Sequence, residues 1–151
     1  MQGEFPDEAE ISATGLVGDR SWGVVNTETG HVLSAKKYAP LLEASSTLVG
    51  DSVRITLPNG TTYEPGDAAD AALSQWLEMP VVLRPANATG TPFEMSFNVD
   101  DESVDEFEWS TPAGNFLDLA AVHVLTTAAL AAAITKDLPD TDVQTHLEPR
   151  P

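Results

Sequence analysis

The stretch Gly15-Leu16-Val17-Gly18-Asp19-Arg20-Ser21-Trp22-Gly23-Val24-Val25 constrains this chain more than any other. Glycines at 15 and 18 permit a positive φ or a close backbone approach that a side chain forbids, so the segment reads as a tight turn. An apolar strand opening on Trp22 follows at once. The turn therefore holds Asp19 and Arg20 at the mouth of a strand. Arg20 offers a planar fork suited to a carboxylate or phosphate. The alternative is that Asp19 and Arg20 pair with each other across a barrel rim, as many surface ion pairs do to little effect.

Around this turn the chain reads as short strands and one helix. Residues 1–6 carry no strand pattern, and Glu10-Ile11-Ser12-Ala13-Thr14 is a short alternating strand leading into Gly15. Residues 22–26 and 31–35 flank Thr27-Glu28-Thr29-Gly30, the pattern of a β-hairpin. Pro40 breaks the chain before a further strand expected over 41–49. Residues 52–57 alternate cleanly, with Val53, Ile55 and Leu57 on one face. Pro58-Asn59-Gly60 then turns the chain into 61–64. Asp67 is placed to cap a helix over 68–78. Ala69, Ala72, Leu73, Trp76 and Leu77 share its apolar face, and Trp76 is expected to plug the end of a core. Met79-Pro80 ends the helix, and 81–84 returns to strand.

Residues 85–110 are the least regular, with Pro85, Asn87, Gly90 and Pro92 marking a linker. Asp100, Asp101, Glu102, Asp105, Glu106 and Glu108 follow without the frame of a calcium loop, so a solvated acidic loop is expected. Farther on, Thr126 or Thr127 caps a helix through Ile134. His123, inside an apolar strand over 122–125, reads as a hydrogen-bonded structural residue. Residues 143–151 are polar and proline-rich.

Seven basic and 24 acidic residues give this 151-residue chain a formal charge of −17. Such a potential repels nucleic acid and anionic membranes, so neither is an expected partner. With no cysteine, disulfides, thiolate metal sites and cysteine nucleophiles are excluded. The acidic start has no leader pattern, and no apolar run reaches a membrane span, so a cytoplasmic protein is expected. Neither a Gly-x-Ser-x-Gly elbow nor a His-Glu-x-x-His motif is present, and His31, His123 and His146 lie far apart. No catalytic or metal-ligating residue is assigned.

Two stretches carry a family resemblance. Gly15-Leu16-Val17-Gly18-Asp19-Arg20-Ser21-Trp22, the Thr27-Glu28-Thr29-Gly30 turn and Leu33-Ser34-Ala35-Lys36 resemble the start of the MOSC N-terminal β-barrel domain. Phe116-Leu117-Asp118-Leu119-Ala120-Ala121-Val122-His123-Val124-Leu125-Thr126-Thr127 resembles the opening of the MOSC domain that follows it. The resemblance implies a mainly β (α+β) fold. Its expected parts are a MOSC N-terminal β-barrel with a capping helix over 1–84, lacking its first strand, an acidic linker over 85–111, and a truncated second β-barrel over 112–151. It also implies a molybdenum cofactor (molybdopterin) held between the two domains. Arg20 falls on a family arginine that contacts the pterin or its phosphate, and Lys36 on a usually basic position. Leu119 and Ala120 fall on two further cofactor positions, where only main-chain contacts survive. The chain departs from the family at His146-Leu147-Glu148-Pro149-Arg150, where glutamate replaces a cofactor-binding arginine, and it lacks the molybdenum-ligating cysteine.

Three functions follow as expectations. The first is a truncated MOSC-family protein that keeps part of the cofactor-binding face without being active alone. The second is a non-catalytic interaction module using its acidic loop against a basic partner. The third is half of a molybdenum-dependent reductase of N-hydroxylated compounds, completed in trans; an electron-transfer or completing protein partner is expected. The apolar strand edge of a partial barrel further predicts marginal stability or a homodimer.

Overall fold

Short alternating runs cut by glycine turns give short strands, and the chain has few longer elements. The computed structural model describes residues 1–2, 7–12, 15–97, 105–116 and 126–129. They belong to two compact units, Met1–Leu119 and Ala120–Pro151. In the first unit the strands are β1 (Ile11–Ser12), β2 (Gly15–Leu16), β3 (Trp22–Asn26), β4 (Ser45–Val49), β5 (Ser52–Thr56) and β6 (Thr62–Tyr63). A helix, α1 (Asp67–Leu77), leads to β7 (Val81–Pro85), β8 (Pro92–Phe97) and β9 (Asp105–Ser110). The architecture is predominantly β with one substantial helix, an α+β fold. In the second unit, Thr126 Oγ1 accepts the Ala129 N–H at 3.1 Å, so of the two threonines expected to cap it is Thr126 that does so.

Among the described residues the ladders form four separate antiparallel sheets: β1-β2, β3-β7, β4-β5-β6 and β8-β9. The barrel closure expected from sequence is not among them. One physical reason lies in β7. Its first edge pairs with β3 along the whole strand, from Trp22↔Pro85 to Asn26↔Val81. Its second edge is taken by helix side chains. Asp70 Oδ1 accepts the Leu83 N–H at 2.7 Å, and Ser74 Oγ both accepts the Val81 N–H and donates to the Val81 carbonyl, each at 3.0 Å. The match is geometric. Four residues of helix rise about 6 Å, and two residues of strand advance between 6 and 7 Å, roughly the same step. A strand satisfied in this way recruits no further neighbour.

The core gathers where α1 lies on this layer. Ile55, Ala69 and Leu73 are fully buried, with Val24, Val53, Leu57, Val81 and Leu83 close around them. Burial of a side chain such as Ile55 or Leu73 contributes about 2 kcal/mol. Trp76 and Leu77 pack against the cluster from the helix, as their spacing predicts. Asp67, expected to be the cap, is instead the first helical residue; Gly66 holds the cap position with no side-chain bond. At the far end Glu78 adopts a left-handed conformation, and Met79 N–H closes onto the Ser74 carbonyl at 3.2 Å.

The structure differs from expectation in four other places. The strand expected over 41–49 is a 3-10 turn, Ala39–Glu43, followed by β4, because Pro40 fits the first turn of a helix and Leu41 buries its side chain there. The second arm of the first hairpin is reduced to a single bridge, Val25↔Val32. Residues 92–110, expected to be irregular, contain the β8-β9 hairpin, with Phe93 opposite Trp109 and Met95 opposite Phe107. Gln2 bridges to Ser45 in parallel, so the start of the chain is bound into a sheet. Packing of Met1 against the core lowers its α-amine below the ordinary pKa through burial.

Replacing Asp70 by alanine orphans the Leu83 N–H beside a buried strand, and is expected to cost about 1–3 kcal/mol. The same carboxylate pairs with Arg84 at 3.0 Å, but Arg84 is half exposed. Arg84→Ala is therefore expected to cost less than about 1 kcal/mol. Urea unfolding of both variants checks this; equal losses would place the stabilisation in the ion pair instead of the backbone bond.

Candidate functional site

The Gly15–Arg20 turn is built from its own backbone. Asp19 N–H donates to the Leu16 carbonyl at 3.1 Å, and the Ser21 hydroxyl donates to the Gly18 carbonyl at 2.8 Å. Gly18 has φ +84°, a conformation that favours glycine, while a Cβ there would only displace the methyl end of the exposed Leu48 side chain. Arg20 is the unusual residue. It is left-handed at φ 50° despite its side chain, a conformation that costs about 1–2 kcal/mol.

Such strain persists only where surrounding bonds fix it. The Arg20 carbonyl accepts the Phe116 N–H at 2.9 Å, and the neighbouring Ser21 carbonyl accepts the Ala86 N–H at 2.8 Å. Beyond the turn, Gly23 leaves space that Phe116 and Val32 occupy; a Cβ there would lie 2.9 Å from each. Phe116 thus closes over the entrance of β3 through both backbone and ring.

Lys36 is brought to the same end of β3. Val32 bridges to Val25 and Leu33 N–H donates to the Val24 carbonyl at 2.8 Å, so this segment runs back toward Trp22. It then turns, with Ser34 accepting the Lys37 and Tyr38 amides on its carbonyl and the Lys36 amide on its hydroxyl. Arg20 and Lys36 are both solvent-exposed. A shallow cleft on this segment is lined by Thr29, His31, Ser34, Lys37 and Tyr38 among others. Leu119 and Ala120, the other expected contacts, and His123 lie outside the described residues. So do Asp100, Asp101 and Glu102 of the acidic stretch, whereas 105–108 belong to β9.

Guanidinium and ammonium groups such as those of Arg20 and Lys36 are the kinds that bind a phosphate, through charge-assisted hydrogen bonds. Molybdenum is a different matter. The chain has no thiolate to offer, and among the described residues no group of three His, Asp or Glu side chains could hold a metal ion. Arg20 and Lys36 are expectations of the sequence, whereas Phe116, which bonds the Arg20 carbonyl, has no expected role at the turn. Its only sequence signal was the small residue at 23, which needs a large neighbour to fill the space.

Gly18→Ala is expected to destabilise the protein by about 1–2 kcal/mol, through left-handed strain. Arg20→Gly is expected to change stability by less than about 1 kcal/mol, since relief of strain offsets the greater freedom of the unfolded chain. Thermal or urea melts of the pair check this; a large loss in Arg20→Gly would make the arginine side chain a structural element. Comparison with protein-family models, curated proteins and solved structures finds no match for this chain.

Proposed function

We propose that this chain is a MOSC-type module of the cytoplasm, related to the N-terminal β-barrel domain of molybdenum-cofactor proteins. It presents part of a cofactor-binding face and does not itself ligate the metal. Arg20 binds the phosphate of a molybdopterin, Lys36 adds a second positive charge, and Leu119 and Ala120 contribute main-chain groups. A completing or electron-transfer partner supplies the redox centre where one operates. The hydrogen bond from Phe116 to the strained Arg20 is the single observation that carries this reading. It ties the Gly-Asp-Arg turn to Phe116, the residue that opens the second resembling stretch.

A second reading has its own support in β8 and β9. Glu94 and Glu108 are register partners in the β8-β9 ladder, so acidic positions recur on both of its strands. On that reading the acidic stretch over 100–108 docks a basic protein partner.

Salt and mutation separate the two. Equilibrium dialysis with molybdopterin is expected to saturate at one equivalent, and Arg20→Ala to weaken binding by about tenfold or more. Between low and physiological salt its affinity is expected to change only about severalfold, because salt screens the repulsion from the −17 surface as well as the local attraction. Absence of saturable binding sinks the cofactor reading. Docking of a basic protein would instead fade steeply as salt rises.

A further inference from the structure

The turn between β5 and β6 carries the one Asn-Gly pair in the chain, Asn59-Gly60. The other asparagines, Asn26, Asn87, Asn98 and Asn115, precede Thr27, Ala88, Val99 and Phe116. The distinction is chemical. A main-chain nitrogen can attack the side-chain amide of the asparagine before it, and glycine alone puts no Cβ in the way of that approach. Pro58, Asn59 and Gly60 are all exposed, so water reaches the pair. Both reacting groups are nevertheless engaged in the folded turn. Gly60 N–H donates to the Leu57 carbonyl at 2.9 Å, and Asn59 Oδ1 accepts the Thr61 N–H at 2.9 Å. Leu57 N–H closes the loop onto the Thr61 carbonyl at 3.0 Å. Attack requires the Gly60 nitrogen to shed its proton and to face Asn59 Cγ. Shedding it breaks the bond to Leu57, and rotating the Asn59–Gly60 backbone into a five-membered ring works against the bonds to Thr61.

We propose that Asn59 is a self-modification site that the native turn holds back: where the β5-β6 hairpin opens, Gly60 closes on Asn59 and the asparagine is converted to isoaspartate and aspartate. In the first step the bond between the Gly60 nitrogen and Asn59 Cγ forms and the Cγ–Nδ2 bond breaks. The Gly60 proton leaves with Nδ2 as ammonia. Water then opens the cyclic imide. Addition at Cγ gives aspartate, and addition at the main-chain carbonyl of residue 59 gives isoaspartate, whose chain runs on through Cγ. The two products differ in the fold. Aspartate keeps an oxygen for the Thr61 N–H. Isoaspartate adds one atom to the main chain of the turn, so the bonds from Gly60 to Leu57 and from Leu57 to Thr61 no longer span the same distance. β6 pairs with β5 only through Ile55↔Tyr63 and Thr56↔Thr62, and Tyr63 packs against the core, so this short strand depends on the turn. Opening of the hairpin is thereby recorded in the covalent structure. Neither Arg20 nor Lys36 takes part, so the reaction is independent of cofactor binding.

The test is incubation of the full chain in mildly alkaline buffer, with and without guanidinium chloride at an unfolding concentration. Peptide mapping by mass spectrometry then resolves asparagine, aspartate and isoaspartate at each position. In denaturant, residue 59 is expected to convert well ahead of the other asparagines, with isoaspartate among the products. In native buffer its conversion is expected to be slower by about tenfold or more, the combined hold of the hydrogen bonds on Gly60 and Asn59. Pro58→Gly frees the turn and leaves the reacting pair intact. It is expected to raise the native rate severalfold and leave the denatured rate unchanged. Gly60→Ala is expected to slow the denatured rate severalfold or more, because a methyl group crowds the attacking nitrogen. Equal wild-type rates with and without denaturant overturn the inference, and that comparison needs no variant to fold. So does a folded Pro58→Gly variant that converts no faster than wild type. Aspartate without isoaspartate, or conversion no faster at residue 59 than at the other asparagines, overturns it as well.

Discussion

Everything near the site hangs on the way α1 terminates the sheet. A strand has two rows of backbone groups, and each buried group must find a partner. β7 gives one row to β3 and the other to Asp70 and Ser74 of the helix. Helical spacing of four and strand spacing of two cover nearly the same distance, so side chains on one helix face can stand in for a neighbouring strand. The same face brings Ala69 and Leu73 into the core. Hydrogen bonding and apolar burial therefore act along one contact line, and the helix cannot shift along the strand without losing both.

β3 inherits its position from that clamp. With β7 fixed on one side and Val32–Leu33 on the other, its entrance is held and the Arg20 turn has little room to relax. Phe116 then secures the turn, through a hydrogen bond from its N–H to the Arg20 carbonyl and a ring resting where Gly23 has no side chain. The outcome is a left-handed arginine at the surface of a strongly acidic protein. The whole chain repels anions at long range, and screening over about 8 Å at physiological salt shortens the reach of that repulsion.

Most local structure was legible in the sequence. The 52–57 alternation, the Pro58-Asn59-Gly60 turn and the apolar face of α1 all appear where their spacing places them. Each is set by neighbours a few residues apart, so a short window contains its cause. The β8-β9 hairpin was hidden because acidic residues dominate the composition around Phe107 and Trp109, although the period-two apolar pattern is present. The 3-10 turn at Ala39–Glu43 was hidden for another reason: Pro40 reads equally as a strand breaker and as a helix start, and only burial of Leu41 chooses between them.

For the site, the sequence by itself determined which side chains are available: a glycine turn, an exposed arginine, a nearby lysine, a surplus of carboxylates and no thiolate. Those are matters of composition and local spacing. Tertiary structure decided that Asp70 and Ser74 cap a strand, that Arg20 is strained, and that Phe116 is its neighbour. Each of these depends on a backbone group meeting a partner distant along the chain, with contacts such as Phe116 to Arg20 and Leu83 to Asp70 fixed by which edges and spaces remain open after the core has packed.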